Sequence, residues 1–230
     1  MKTIGLIGGM SWESTVTYYQ IINRTIKAEL GGLHSAKSIL YSVDFQEIEA
    51  CQSAGDWAKS AQILAGTAQS LEKAGADFIV ICTNTMHKVA DDIAGAISIP
   101  ILHIAEMTAQ ALKENQIKKV ALLGTKYTME QDFYKSKLIS NGIDVVVPQE
   151  EDRAFINDTI YSELCLGIAS GKARERFLKI IAETANMGAQ GVILGCTEIG
   201  LLVAQRDTPV QLYDTAQIHA VKAALFAIGK

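Results

Sequence analysis

Cysteine is scarce in this chain: four residues in 230, at 51, 82, 165 and 196, with no Cys-x-x-Cys pair among them. That spacing fits neither a structural zinc site nor a disulfide framework, so four free thiols are expected. His34, His87, His103 and His219 are scattered without a ligand spacing, and no metal is expected. Prolines number three, which leaves long helices uninterrupted. No cluster of Lys or Arg stands out and the net charge is −4, which argues against nucleic acid and against an anionic membrane surface. No apolar run reaches the roughly 18 residues that span a bilayer. The opening Met-Lys-Thr-Ile-Gly-Leu-Ile-Gly reads as a β-strand and lacks the apolar region and cleavage site of a signal peptide. A cytoplasmic location is expected.

What is present is apolar residue in quantity, 49% of the chain, enough for a sizeable core. Short β-branched runs at 2–7, 38–42, 78–82, 101–103, 119–123, 144–147, 191–194 and 210–213 read as strands. Helical patterns fall between them at 14–29, 56–74, 105–114, 129–140, 153–166, 173–186 and 215–228. Near-continuous apolar strands imply burial on both faces, the condition of a parallel sheet flanked by helices. The halves also repeat each other. Thr3-Ile-Gly-Leu-Ile-Gly-Gly resembles Lys119-Val-Ala-Leu-Leu-Gly-Thr, and a helix, Gly-Ala, apolar strand and polar loop recur near 71–85 and 182–198. The expected fold is therefore α/β, with two pseudo-symmetric halves, each a mostly parallel sheet flanked by helices, and a site in the cleft between them. The expected division gives 1–103 plus the C-terminal helix from about 214 to 230 to the first half, and 104–213 to the second. In such sheets ligands bind beyond the carboxyl ends of the strands.

Two strand ends carry chemistry. Gly195-Cys196-Thr197-Glu198 closes one apolar run, and Cys82-Thr83-Asn84-Thr85-Met86-His87 closes its counterpart. Reactive side chains on two such ends, facing one small substrate, would suit moving a proton from one face of a carbon to the other. Pairing the halves without gaps on Gly75-Ala76 and Gly188-Ala189 sets Thr83, not Cys82, opposite Cys196. The choice matters because a slip of one residue turns every side chain of a strand to the other face. Under this register Cys82 points into the core. Gly8-Gly9 does not fit the G-x-G-x-x-G dinucleotide loop, and no acidic residue stands at a following strand end.

The segments at 2–10, 75–87 and 195–198 resemble the aspartate/glutamate racemase family, along the whole chain and in the right order. The pieces Met10-Ser-Trp-Glu-Ser-Thr, Gly31-Gly-Leu-His-Ser and Tyr127-Thr-Met-Glu-Gln-Asp are similar to a bacterial subgroup described as L-aspartate/glutamate-specific or broad-specificity amino-acid racemases. The resemblance implies an isomerase that needs no pyridoxal phosphate or other cofactor, takes a small amino acid as substrate, and forms a homodimer. The family pattern Cys-Asn-Thr-x-His is met here by Asn84, Thr85 and His87, with Thr83 in place of the first catalytic cysteine. Cys196 matches the second. The basic residues that clamp a side-chain carboxylate in well-known aspartate racemases correspond to places near Ile48 and at Leu166, so this clamp is not expected.

The resemblance casts Cys196 and Thr83 as the catalytic pair. A thiolate can serve as the base, since a cysteine pKa falls near helix N-termini and beside cations. A threonine hydroxyl cannot do so unaided, and the expected enzyme is asymmetric, fast on one face and slow on the other. Asn84, Thr85, Thr125 and Thr197 suit neutral contacts to the substrate, with Met10, Gln52, Tyr127 and Thr128 completing the expected binding set. His87 either relays a proton or buttresses its loop. Glu198 either orients Cys196 or merely occupies a first helical turn, where acids are favoured. Thr83 and Thr197 could instead be simple helix caps. Two other functions compete: a decarboxylase or cis–trans isomerase of a malonate- or maleate-like acid, and an amino-acid-binding protein without turnover.

Overall fold

The computed structural model describes residues 1–230. Two compact units divide the chain, Met1–Ile104 with His219–Lys230, and Ala105–Ile218. The first holds β1 (Ile4–Gly8), α1 (Trp12–Leu30), β2 (Ser38–Ser42), α2 (Phe45–Ala54), α3 (Trp57–Lys73), β3 (Phe78–Ile81) and α4 (Ala90–Ala94), with a 3-10 helix at Thr85–Val89. Its sheet is parallel in the order β2-β1-β3. Every residue of the central strand, Ile-Gly-Leu-Ile-Gly, is buried, as expected of a strand covered on both faces. Ile7, Ile48, Leu64, Leu71, Ile79 and Ile81 form the centre of its core.

The second unit opens with α5 (Ile104–Glu114) and continues through β4 (Lys119–Gly124), α6 (Lys126–Glu130), α7 (Asp132–Ile139), β5 (Asp144–Val146), α8 (Glu150–Ser162), α9 (Gly171–Asn186), β6 (Val192–Gly195), α10 (Ile199–Leu202) and β7 (Leu212–Asp214). Its sheet is also parallel, in the order β5-β4-β6-β7. Leu123, Ile156, Phe177, Ile180, Val192 and Ile199 belong to its core. The last helix, α11 (Thr215–Ala227), starts in this unit and runs into the first.

The two ladders share one register. In the first unit Gly5 faces Ile79 and Ile7 faces Ile81. In the second Ala121 faces Val192 and Leu123 faces Leu194. With β1 matched to β4 by their common sequence pattern, Ile81 and Leu194 are equivalent, and so are Thr83 and Cys196, two residues further on. The helices leading into β3 and β6 both end at a glycine in the left-handed region, Gly75 at φ 95° and Gly188 at φ 88°, where a Cβ would be strained.

Four local expectations differ from the structure. The strand at 101–103 shrinks to one bridge, Ile101 to Ile79, because the backbone beyond it bonds to side chains rather than to a neighbouring strand. Leu102 O accepts from His219 Nε2 and Ile104 N donates to His87 Nε2. Helix α2 has no counterpart among the expected helices, although Asp44 caps its start and Gly55, at φ 72°, closes its end. The helix expected at 129–140 is two helices, broken at Gln131, which is extended at φ −87° and ψ 158°. The helix expected at 153–166 begins instead at Glu150, where three successive acids favour a first turn, and ends at Ser162.

Candidate active site

The strand ends of the second unit meet through glycine. Gly124 and Gly195 are paired across β4 and β6, and a Cβ on Gly195 would stand 2.7 Å from Leu123 O. No side chain fits there, so the chain passes close to its neighbour and presents Cys196 directly after the strand. Cys196 Sγ donates to Glu198 Oε2 at 2.9 Å, and Thr197 Oγ1 donates to the same oxygen at 2.7 Å. Glu198 is only 2% exposed, and Cys196 8%. Thr125, which caps α6, and Thr128 pair through their hydroxyls at 3.3 Å, and Thr128 abuts Gly124 and Gly195. Tyr127 is half-buried, with Lys126 Nζ 5.2 Å from its ring centre.

The thiol of Cys196 is not the low-pKa group anticipated from its place before a helix. Burial pushes it well above the ordinary thiol range, the Glu198 carboxylate beside it pushes further in the same direction, and Cys165 adds to the effect. The four-residue α10 contributes too little to offset this. In the resting protein the sulfur carries its proton and hands a hydrogen bond to Glu198. Glu198 therefore does more than occupy a helical turn, and the hydroxyl of Thr197 is engaged with it.

In the first unit Thr83 lies two residues past β3 and is buried. Its carbonyl accepts from His87 Nδ1 at 2.8 Å, while His87 Nε2 accepts from Ile104 N at 3.1 Å. With Nδ1 facing a carbonyl and Nε2 facing an N–H, the ring is neutral and both nitrogens are occupied. Burial, followed by the His103 ring beside it, keeps its pKa well below the usual histidine value. His87 is a brace for the Thr83 loop, and the proton-relay alternative loses its free nitrogen. Cys82 is fully buried with its thiol pushed upward by desolvation, its sulfur 3.9 Å from Val80 O. It belongs to the interior.

Met10, Asn84 and Thr85 are buried at the ends of β1 and β3, and Gln52 reaches from α2 to donate to Met86 Sδ at 2.9 Å. The Gly9 amide donates to Thr15 Oγ1 at 2.9 Å. Ile48 is wholly within the core and Leu166 lies exposed after α8, so neither place offers a cation. Sequence reasoning missed the supports of this loop. His219 Nε2 donates to Leu102 O at 2.8 Å and its Nδ1 accepts from Tyr18 Oη at 2.9 Å, with the His87 ring 5.7 Å away. No spacing in the sequence marks His87, His103 and His219 as neighbours, because only the return of α11 brings the last of them in.

A protonated thiol resting on a buried carboxylate stands just after β6, and a hydroxyl holds the equivalent place after β3 of the other unit. The model of the Asp/Glu/hydantoin racemase family matches residues 7–223, and the chain belongs to that family. It is 55% identical to a Yersinia pestis protein assigned to the Asp/Glu racemases, covering 99% of this chain and 100% of that one with a TM-score of 0.92. An aspartate racemase homologue from Pyrococcus horikoshii is 37% identical over 99% of this chain and 100% of its own, with a TM-score of 0.84. The broad-specificity amino-acid racemase RacX of Bacillus subtilis is 26% identical over 152 residues, which span 65% of this chain and 64% of RacX, less than two thirds of that protein.

Proposed function

We propose that the chain is a cofactor-independent amino-acid racemase of the aspartate/glutamate type. Cys196 takes the α-hydrogen of one enantiomer and Thr83 serves the opposite face of the same substrate. The Cys196 thiolate forms an S–H bond with the α-hydrogen as the C–H electron pair passes into the carboxylate-stabilised carbanion; the Thr83 hydroxyl, or a water beside it, gives a proton to the other face to yield the mirror-image acid, and solvent exchange reprotonates the base left there and restores the thiolate. The observation that carries this reading is the sulfur of Cys196 held 2.9 Å from a buried carboxylate, at the position equivalent to Thr83. Asn84, Thr85, Thr125, Thr128 and Thr197, with Met10, Gln52 and Tyr127, form the proposed substrate contacts. All are neutral, so the reading sets no demand for a charged substrate side chain. Homodimer assembly and a cytoplasmic location belong to the same proposal.

A panel of L- and D-amino acids incubated in deuterium oxide tests it. The expected result is loss of the α-hydrogen signal with appearance of the other enantiomer on a chiral column. Release of carbon dioxide from malonate-type acids, with amino acids untouched, would favour the decarboxylase instead. Binding without any exchange would leave an amino-acid-binding protein. Light scattering of the purified chain reads the assembly state.

A further inference from the structure

Thr83 sits on a loop beyond the end of its sheet. β3 stops at Ile81, and the bridge on its far side stops at Ile101. Hydrogen bonds outside any ladder hold the backbone of Thr83 instead: its N–H donates to Ile81 O at 2.9 Å, and its carbonyl accepts from His87 Nδ1 at 2.8 Å. The His87 ring is set in turn by Ile104 N, and two residues earlier the carbonyl of Leu102 is set by His219. We infer that His219, with Tyr18 behind it, is a positioning residue for the Thr83 half of the reaction, acting through the 102–104 backbone and His87 without touching substrate. The inference rests on the racemase reading above and assigns a distant part of the chain to one face of that reaction.

The partners fix one arrangement of hydrogens. His219 Nε2 faces a carbonyl and carries its hydrogen there, so Nδ1 offers a lone pair and the Tyr18 hydroxyl donates to it. His87 is the opposite tautomer: Nε2 accepts from Ile104 N, and Nδ1 carries the hydrogen that reaches Thr83 O. Tyr18 and His219 are wholly buried, so solvent does not replace a partner that is lost. Leu102 N is pinned to Ile79 O at 3.0 Å, and the direction of the Leu102 carbonyl sets the plane of the rigid peptide that follows. Where the Ile104 N–H points, one peptide further on, depends on that plane. The His87 ring also has little freedom of its own, since the rings of His103 and His219 stand 4.6 and 5.7 Å from it. A displacement at His219 is therefore passed along the backbone to the residue that holds the Thr83 carbonyl. Cys196 belongs to the other unit and shares none of these bonds.

The two faces of the reaction can be read separately in deuterium oxide. The experiment starts from the enantiomer that wild type exchanges faster, the one whose α-hydrogen Cys196 takes, and follows two rates: loss of the α-hydrogen signal and appearance of the mirror image on a chiral column. His219→Leu removes the donor to Leu102 O. A misplacement of about 1 Å in a reacting group costs on the order of 10²-fold, so a partial shift of Thr83 should lower inversion relative to exchange by about 10-fold or more, with KM little changed. The carbanion still forms on the Cys196 side and is quenched there. A loss of folded protein alone would lower both rates together and leave their ratio unchanged. His219→Gln, whose amide can donate to Leu102 O, should recover most of the ratio. Tyr18→Phe should move it in the same sense by a smaller factor, and serves as the test where His219→Leu does not fold. In His87→Asn, whose amide can donate to Thr83 O without reaching Ile104 N, adding His219→Leu should change the ratio no further. A wild-type ratio in His219→Leu, or in Tyr18→Phe where that variant stands in, overturns the positioning role and leaves the racemase reading standing. A further change on adding His219→Leu to His87→Asn overturns the route through His87. Wild-type protein that exchanges no α-hydrogen overturns the racemase reading, and this role with it.

Discussion

His219 links the acid stability of the first unit to its internal wiring. The ring is fully buried, donates from Nε2 to Leu102 O, and accepts at Nδ1 from the Tyr18 hydroxyl. Protonation would place a second hydrogen on Nδ1, against a hydroxyl already directed at it, inside a desolvated pocket facing the His87 ring. Its pKa is accordingly driven down to about 3, chiefly by burial and next by His87. The unfolded chain binds this proton near pH 6.5, whereas the folded chain does not until about pH 3, so stability is full above pH 6.5 and falls as pH drops through that window. The slope is about 1.4 kcal/mol per pH unit well inside the window, which gives a loss of about 2 kcal/mol between pH 7 and pH 5 from this residue alone. Both tryptophans, Trp12 and Trp57, lie in the first unit, so urea unfolding followed by tryptophan fluorescence reads that unit selectively. His219→Gln keeps an amide that can donate to Leu102 O but removes the titration. At pH 7 the variant should be less stable than wild type by about 1–3 kcal/mol, the range for a disturbed buried hydrogen-bond pair. The gap should close by about 2 kcal/mol at pH 5, because only wild type pays the protonation cost. Stability curves that run parallel from pH 7 to pH 5 would refute the reasoning, since they would mean that the folded protein titrates His219 normally.

Thr83→Cys should accelerate racemisation in whichever direction wild type performs slowly, by replacing a hydroxyl with a group whose conjugate base is reachable near neutral pH; initial rates from each pure enantiomer decide it, and no gain in either would count against the Thr83 assignment. Cys82→Ala should cost about 1–2 kcal/mol of stability in urea denaturation and leave exchange intact, because that sulfur lies in the interior. Gly195→Ala should be far more damaging than its size suggests. The added methyl meets Leu123 O at 2.7 Å, so a loss of about 1–3 kcal/mol and reduced exchange are expected from displacement of the next residue, Cys196.

Much of the architecture was legible because it rests on local patterns with short periods. Fully apolar strands announced buried parallel sheets, and two Gly-Ala pairs in matching places fixed a register that distinguishes Thr83 from Cys82. The ladder pairings Ile7 to Ile81 and Leu123 to Leu194 rest on the same alternation of side chains. The segment at 101–103 departs from its strand pattern for an instructive reason. Its apolar residues fit a strand, but the backbone groups that would have continued the ladder are bonded to two histidine side chains from distant parts of the chain.

The protonation state of Cys196 was the least legible feature. Sequence position argues for a lowered thiol pKa, since a helix follows the strand, and that argument holds when the helix is long and the sulfur is solvated. Here the helix has four residues and the sulfur is buried beside an acid. The backbone N–H of Glu198 at this short helix end favours the thiolate, but it does not outweigh desolvation reinforced by a full negative charge at hydrogen-bond distance. The sign of the shift is therefore set by tertiary packing, which places Glu198 inward rather than toward water. The same packing that makes the thiol hard to ionise also makes its thiolate, once formed, a stronger base than a free cysteine would be, because affinity for a proton and resistance to losing it are one quantity. An α-hydrogen next to a carboxylate is weakly acidic, so a base of raised proton affinity is better matched to it than an exposed thiolate.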